Sequence, residues 1–298
     1  MTDVALSTMW GIQRFNTLDE FFKQARALGF NRFELNHAID SKMMAGMNGY
    51  KIASVHEPCP ADVSVNELKN RNWLVSATDQ VKRRKGVEAI QRSIDLAVKL
   101  GASTVIVHPG KVDIDTALDT KLRDLYHAGK VETPQYQKLK LEHMEARVAQ
   151  ARFNLSAVRQ SIIELAEYAD ERGIKLGLEN RYHYFEIPSP DELDTLLNLG
   201  FKNVGFWYDV GHAETLERMG YYAHEEWLRR FSTRIIGTHL HDVIGIDDHQ
   251  SPGSGQIDWA MVAHYLPADA LRTCEFQNFN SAEQVAAGLR WLKEKECI

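Results

Sequence analysis

Cysteine is scarce in this chain of 298 residues, which has only Cys59, Cys274 and Cys297 and no CxxC pair. An odd number of widely spaced cysteines argues against a disulfide framework and against a zinc site made of thiolates. Any bound metal would therefore be held by histidine and carboxylate side chains. Cys59 and Cys274 are expected to pack as small apolar groups and not to act as nucleophiles.

Long apolar runs and an excess of positive charge are also missing. No apolar run approaches the roughly 18 residues that a membrane-spanning helix needs. The first ten residues lack the basic and apolar regions of a signal peptide, so a cytoplasmic location is predicted. A net charge of -6 offers no electropositive face and disfavours nucleic acid as a partner. The expected partner is a small molecule.

Short apolar runs of β-strand type alternate with longer helical patterns along the whole chain. This alternation is typical of βαβ units and a parallel sheet. Eight such units in about 300 residues predict an α/β fold, a (β/α)8 TIM barrel forming a single domain over residues 1–298. The predicted strands cover residues 4–9, 32–35, 51–56, 103–108, 174–179, 203–209, 234–239 and 271–276. Four glycines before predicted strands are expected to end helices in the left-handed conformation: Gly29, Gly101, Gly173 and Gly200.

One segment, about residues 111–154, is too long for a plain loop after the fourth strand. Its pattern predicts a helical insertion: a short helix, a turn at Gly129 to Pro134, and a long helix that merges with the next one. Because it leaves the barrel after His108, it could serve as a lid, as a contact in a homo-oligomer, or as decoration.

Side chains able to bind a divalent metal close most of the predicted strands. The carboxyl ends of barrel strands converge on one face, where the active sites of such barrels lie. The sequence therefore predicts a metal site at the mouth of the barrel. The strand-closing residues are His56, His108, Glu179, Asp209, His239 and Glu275.

The densest cluster follows the seventh strand, in the stretch 238–259. It holds His239, His241, Asp242, Asp247, Asp248 and His249 within eleven residues. A spacing of two in a strand predicts that Asp247 and His249 point to the same side. Imidazole and carboxylate together suit zinc, manganese, iron or cobalt better than calcium. The alternative is a solvated polar loop.

For some further candidate ligands, a structural role is an alternative to metal binding. Asp209 and His212, three residues apart, could face one metal cluster, or Asp209 could simply cap the following helix. Glu179 and Glu275 close apolar strands, where two buried carboxylates would repel each other unless a cation lies between them. Their alternative is a structural salt bridge, for Glu179 with Arg181.

Together these motifs, with the stretch PGSGQIDW, resemble the xylose isomerase-like TIM-barrel superfamily. That superfamily includes sugar-phosphate isomerases and epimerases and the endonuclease IV type of apurinic endonuclease. In the epimerase branch, the resemblance implies one metal, two glutamates that exchange protons with the substrate, and a histidine, here His212, that contacts its hydroxyl groups. The implied metal ligands are Glu179, Asp209, His239 and Glu275.

The endonuclease branch uses a trinuclear zinc cluster, and the chain also fills the extra positions. These correspond to His56, His108, His212, Asp247 and His249. However, the loops after strands two and three, HAIDSKMMAGMNGY and EPCPADVSVNE, have little of the basic or intercalating character needed to open a duplex. The ligand set thus favours more than one metal, while the loops favour a small substrate.

The leading hypothesis is a metal-dependent sugar or sugar-phosphate isomerase or epimerase that transfers protons through a metal-stabilised enediolate. It would use one to three divalent ions, zinc or manganese, with Glu179 and Glu275 as the catalytic groups. Arg181 and Trp10, at the predicted rim, would orient hydroxyl groups or cover the sugar face. The alternatives are a multinuclear zinc phosphodiesterase and a non-catalytic metal or sugar binder.

Overall fold

Eight parallel strands close a barrel in the computed structural model, which describes residues 4–298. Residues 1–3 of the predicted domain lie outside the described residues. Neighbours follow chain order around the barrel, and the last strand pairs with the first. The predicted TIM barrel is confirmed. Its strands are β1 (Val4–Ser7), β2 (Arg32–Leu35), β3 (Ile52–His56), β4 (Thr104–Val107), β5 (Lys175–Glu179), β6 (Val204–Asp209), β7 (Ile235–Leu240) and β10 (Leu271–Cys274).

An antiparallel hairpin between β7 and β10 was not predicted. It consists of β8 (Asp242–Ile244) and β9 (Asp247–Gln250), and it lies on the loop that carries the densest group of ionisable residues. The register of the hairpin shifts between Asp242 and Ile244, so the pairing is irregular. A strand with such an irregularity does not hold a strict two-residue alternation of faces.

Helices surround the barrel, and each predicted glycine stop has positive φ: Gly29, Gly101, Gly173 and Gly200. Within residues 4–298 no helix is both long and apolar enough to cross a membrane. The helices are α1 (Leu18–Ala27), α2 (Val65–Asn70), α3 (Gln80–Leu100), α4 (Ala117–His127), α5 (Pro134–Asp170), α6 (Pro190–Leu197), α7 (Val210–Arg218), α8 (His224–Phe231), α9 (Trp259–Tyr265) and α10 (Ala282–Glu294).

The barrel strands are buried on both faces because helices cover the outside and side chains fill the inside. β4, with the sequence TVIV, has all four residues buried, which explains its continuous apolar run. Inside the sheet, Gly237 of β7 lies against the ring of Trp207 on β6. A Cβ atom at position 237 would come within 2.0 Å of that ring, so only glycine fits there.

The insertion after β4 forms α4, a short turn and the first half of α5, a single helix of 37 residues. It packs on the loop that follows β5. The Arg147 guanidinium, on α5, forms two hydrogen bonds of 2.6 and 2.9 Å with the Glu192 carboxylate. It also donates to the carbonyl oxygens of Tyr184 and Glu186. The insertion therefore fixes the loop that carries Arg181.

We expect Arg147→Met to destabilise the protein by about 3 kcal/mol or more, because the variant leaves the Glu192 carboxylate buried and unpaired. Urea unfolding at pH 7 measures the loss. Arg152→Met, an exposed position on the same helix, is the matched control and should change stability by less than about 0.5 kcal/mol. Equal stability of the Arg147 variant and the wild type would contradict this account.

Candidate metal centre

Four carboxylates from four barrel strands meet around one imidazole at the mouth of the barrel. Glu34, Glu179, Asp209 and Glu275 are each at most 1% exposed. The Nδ1 atom of His239 lies 2.7 Å from Glu179, 3.2 Å from Glu275 and 3.5 Å from Asp209. Its Nε2 atom lies 3.1 Å from Glu34. The donor atoms of Glu179, Asp209, His239 and Glu275 lie close enough together to hold one ion.

A second set of donors joins the first through Glu179. The Nε2 atoms of His56 and His108 face each other at 2.6 Å. The same His108 nitrogen lies 3.1 Å from Glu179 Oε2. Donor atoms of His56, His108 and Glu179 thus lie close enough together to hold an ion in place of the hydrogen bond between the two rings.

A third set consists of His212, Asp248 and His249. Asp248 lies 2.9 Å from His249 Nδ1 and 3.6 Å from His212 Nε2. The other ring nitrogen of His212 is 2.9 Å from the carbonyl oxygen of Asn180, to which it must donate. That hydrogen bond fixes the tautomer and leaves Nε2 as the atom with a free lone pair, as a metal ligand requires. The far nitrogen of His249 reaches Glu275 at 3.3 Å.

Charged neighbours keep Glu179 and Glu275 ionised despite their burial. Burial alone would raise the pKa of Glu179, but Arg181 and His108 outweigh it and hold this pKa well below its usual range. Burial also opposes ionisation of Glu275, yet His239 reverses the effect and the pKa of Glu275 is again lowered well below normal. The centre therefore holds several negative charges without access to water.

A divalent cation fits this arrangement. Buried carboxylates are strongly unfavourable unless cations or hydrogen bonds compensate them. His56 Nδ1 and Glu275 Oε1 are both buried without a hydrogen-bond partner, and they lie 3.6 Å apart. These two atoms are a ligand pair of the type that zinc and manganese prefer.

Neighbouring side chains outside the donor groups orient the candidate metal ligands through hydrogen bonds. Asn180 links β5 to β6 by hydrogen bonds of 2.8 Å with both the backbone N–H and the carbonyl of Asp209. His241 accepts the backbone N–H of His249 on Nδ1, so its Nε2 donates to Asp209 at 3.0 Å. Only a hydrogen atom fits at Gly211, where a Cβ would come within 2.1 Å of the His241 ring. His241 thus orients a ligand and does not have a free nitrogen for a metal.

Asp209 also caps the following helix, which was the alternative role considered for it from the sequence. Its Oδ1 accepts the backbone N–H of His212 at 2.8 Å, which caps the first turn of α7. Its Oδ2 remains directed at His239. One carboxylate therefore serves both the helix and the centre.

Two predicted residues lie elsewhere than the sequence suggested. Asp247 is exposed and lies 3.7 Å from His127, outside the three groups. The two-residue rule fails here because His249 has a φ of 57°, which reverses the strand's alternation. Trp10 is fully buried, and its indole donates to the carbonyl oxygen of Asn280 at 2.8 Å, so it presents no open rim surface. Arg181 lies beside the centre and forms with Glu179 the ion pair that the sequence offered as an alternative.

Three residues of the centre were missed. Glu34 was passed over because it is the third of four residues in β2 and does not close the strand. A carboxylate inside a run of buried strand residues was the available signal. His241 and Asp248 were recognised as part of the ionisable cluster, but regular strand geometry gave no reason to select them over Asp247.

We expect Asp248→Ala to release metal from the third group and Asp247→Ala to leave the metal content unchanged, because only the Asp248 carboxylate faces His212 and His249. Mass spectrometry of both variants after purification without chelator measures metal per chain. The adjacent positions make Asp247→Ala the matched control. The opposite result would restore Asp247 as the ligand.

The chain belongs to the xylose isomerase-like TIM barrel family, whose family model matches residues 22–295. It is 27% identical over 222 residues to the uncharacterized protein y4fM of Sinorhizobium fredii, which covers 72% of this chain. The chain spans only 57% of the length of that curated relative.

Solved structures share the fold at low identity. A D-tagatose 3-epimerase-like protein superposes with a TM-score of 0.70 at 20% identity, covering 99% of this chain and 97% of that one. The D-psicose 3-epimerase of Clostridium cellulolyticum H10, crystallised with D-tagatose, gives 0.68 at 13% identity and covers 99% of both chains.

Proposed function

We propose that this protein is a metal-dependent sugar isomerase or epimerase that moves a proton through an enediolate of its substrate. The observation that carries the proposal is the pair of buried carboxylates, Glu179 and Glu275, which both approach the Nδ1 atom of His239 at the mouth of the barrel. Membership of the family, and the ketose epimerases among the proteins of similar fold, support a sugar substrate.

Glu179, Asp209, His239 and Glu275 would hold the principal metal ion, zinc or manganese. When bound, a divalent cation supplies a Lewis acid that polarises the substrate carbonyl and acidifies the neighbouring C–H bond. The first two donor groups share Glu179, and the third lies next to Glu275 through His249, so together the three groups could accommodate one to three ions.

The two glutamates would carry the proton. Glu179, kept ionised by Arg181 and His108, accepts the hydrogen of the C–H bond next to the carbonyl, and the electron pair delocalises onto the carbonyl oxygen. Glu275, which receives a proton from His249 at 3.3 Å, returns that proton to the opposite face of the same carbon and so inverts it. Proton return to the neighbouring carbon instead would exchange the carbonyl and hydroxyl positions. His212 and Arg181 would orient the hydroxyl groups.

Deuterium incorporation tests this chemistry. The metal-loaded protein is incubated in D2O with a panel of ketoses that begins with D-tagatose and D-fructose, and proton NMR follows the C–H groups next to the carbonyl. We expect loss of one C–H signal and appearance of the epimer or isomer. A panel of free and O-substituted ketoses in which no member incorporates deuterium above the protein-free control would count against the proposal.

A multinuclear phosphodiesterase is the second candidate, and the three linked donor groups favour it. In such a site a hydroxide formed at neutral pH attacks phosphorus while neighbouring ions stabilise the leaving oxygen. His56, His108 and the Asp248 group would all be true ligands. Chelator-sensitive nicking of a duplex with one abasic site, without deuterium exchange in any ketose, would select this function.

A further inference from the structure

A cavity of about 360 Å³ opens beside the centre, at His108. The insertion supplies part of its wall, because Thr116, Asp119 and Thr120 of the α4 region line it. Helix α2 and the loops after β3, β4 and β5 supply the rest. The side chain of His108 is 14% exposed, whereas those of Glu179 and Glu275 are at most 1% exposed. A ligand in this cavity would thus reach the centre at His108.

The cavity has a polar anchor next to its apolar wall. His183 Nδ1 lies 2.7 Å from the Asp119 carboxylate, and Arg123 holds the same carboxylate oxygen at 2.9 Å. The His183 ring stacks on the Phe185 ring, with 5.0 Å between the ring centroids. Since Nδ1 is occupied by Asp119, Nε2 is the remaining ring atom that can meet a ligand hydroxyl. The apolar part of the wall consists of Pro58, Val65, Leu68, Leu74 and Phe185.

The charges in this cavity do not suit an anion. Lys69 and Lys111 line it, but so do three carboxylates, Glu57, Asp119 and Glu186. Lys69 lies 3.6 Å from Glu186. The nearby carboxylates therefore already neutralise the lysines that a phosphate group would need. An apolar ring, by contrast, would bury surface against the leucines and Phe185.

We infer that this cavity is a substrate subsite, and that the substrate is a sugar carrying an apolar, aromatic-type substituent and not a free ketose or a sugar phosphate. The sugar would reach the centre at His108, His183 would hydrogen-bond a hydroxyl group, and the substituent would lie against the apolar wall. The insertion would then serve as the element that selects substrates. The reaction of such a substrate rests on the proposed function, whereas its binding to the cavity does not.

The first test compares D-tagatose, 6-O-benzyl-D-tagatose and D-tagatose 6-phosphate by deuterium exchange in D2O. Burial of a phenyl ring should raise kcat/KM for the benzyl ether about tenfold or more over the free sugar, and the phosphate should give no gain. Thr120→Trp fills the cavity from an exposed helix position and should remove the benzyl advantage. Lys121→Trp, exposed on the same helix and absent from the cavity wall, should keep it.

The second test needs no catalysis. Saturation-transfer NMR measures binding of benzyl β-D-glucopyranoside, which we expect for the wild type and Lys121→Trp and not for Thr120→Trp. Binding with this pattern, but no exchange in any ketose, would refute the proposed function and support the subsite. Exchange in D-tagatose with no benzyl advantage, a preference for the phosphate, or equal binding by both tryptophan variants would overturn the subsite.

Discussion

Replacement of Glu275 by glutamine is expected to lower the rate of deuterium incorporation by about 100- to 10,000-fold, the range that loss of a general acid or base produces. The amide keeps the size of the side chain but cannot take up or return a proton. Because Glu275 is almost fully buried beside His239 and His249, water cannot replace it. The initial rate by proton NMR, at saturating ketose, measures the effect.

Two controls separate proton transfer from metal loss. Metal per chain is measured on the same sample, because an amide is a weaker ligand than a carboxylate and excess metal must be supplied to restore occupancy. Glu283→Gln, an exposed position on α10, should exchange at the wild-type rate. A fully loaded Glu275→Gln enzyme with wild-type exchange would remove the glutamate from the reaction.

The barrel and the position of its site followed from a simple rule of parallel sheets. Six of the eight predicted strands are closed by a polar side chain, and the carboxyl ends of barrel strands meet on one face. His56, Glu179, Asp209, His239 and Glu275 do meet there, although they are scattered over some 220 positions of the sequence. The position of metal-binding side chains at strand ends can thus be predicted from the sequence.

What could not be predicted depends on departures from regular geometry. The choice of Asp248 over Asp247 is made by an irregular hairpin and a left-handed φ at His249, neither of which leaves a periodic signal. The burial of Trp10 depends on packing against Phe15 and Phe21, residues whose proximity the fold creates. Sequence patterns give the face of a regular strand, and loops must be read from structure.

The insertion illustrates the same division. Its helices were predictable from periodicity, but its role was not, because that role depends on contacts with the loop after β5. Arg147 and Arg123 reach that loop's carbonyl groups at Tyr184, Glu186 and Tyr182. The insertion, for which a lid or decoration was considered, therefore holds the loop after β5 in place beside the site.

Removal of metal is expected to lower the midpoint of thermal unfolding by about 6 °C. An ion present at a thousand times its dissociation constant stabilises the folded state by about 4 kcal/mol, and with an unfolding entropy of about 2.1 cal/mol/K per residue each kcal/mol shifts the midpoint of a chain of 298 residues by roughly 1.6 °C. The physical reason is that Glu34, Glu179, Asp209 and Glu275 are buried together. Without a cation their repulsion is relieved by histidine protonation, by Arg181 and by hydrogen bonds such as those from Ser54 to Glu34 and from the His212 N–H to Asp209. Calorimetry before and after dialysis against chelator measures the shift, and zinc or manganese added back should reverse it.

The same samples report how many ions the chain holds. His108→Ala removes one imidazole of the second group but no residue of the first group, formed by Glu179, Asp209, His239 and Glu275. A wild type with one ion that the variant retains would indicate a single centre and favour the epimerase. Two or three ions that fall by one in the variant would indicate that His56 and His108, whose Nε2 atoms form a hydrogen bond in this structure, exchange it for a shared ion. An unchanged midpoint after complete removal of metal would mean that protonated histidines alone balance the carboxylates, and the centre would then have to be explained as a structural charge network.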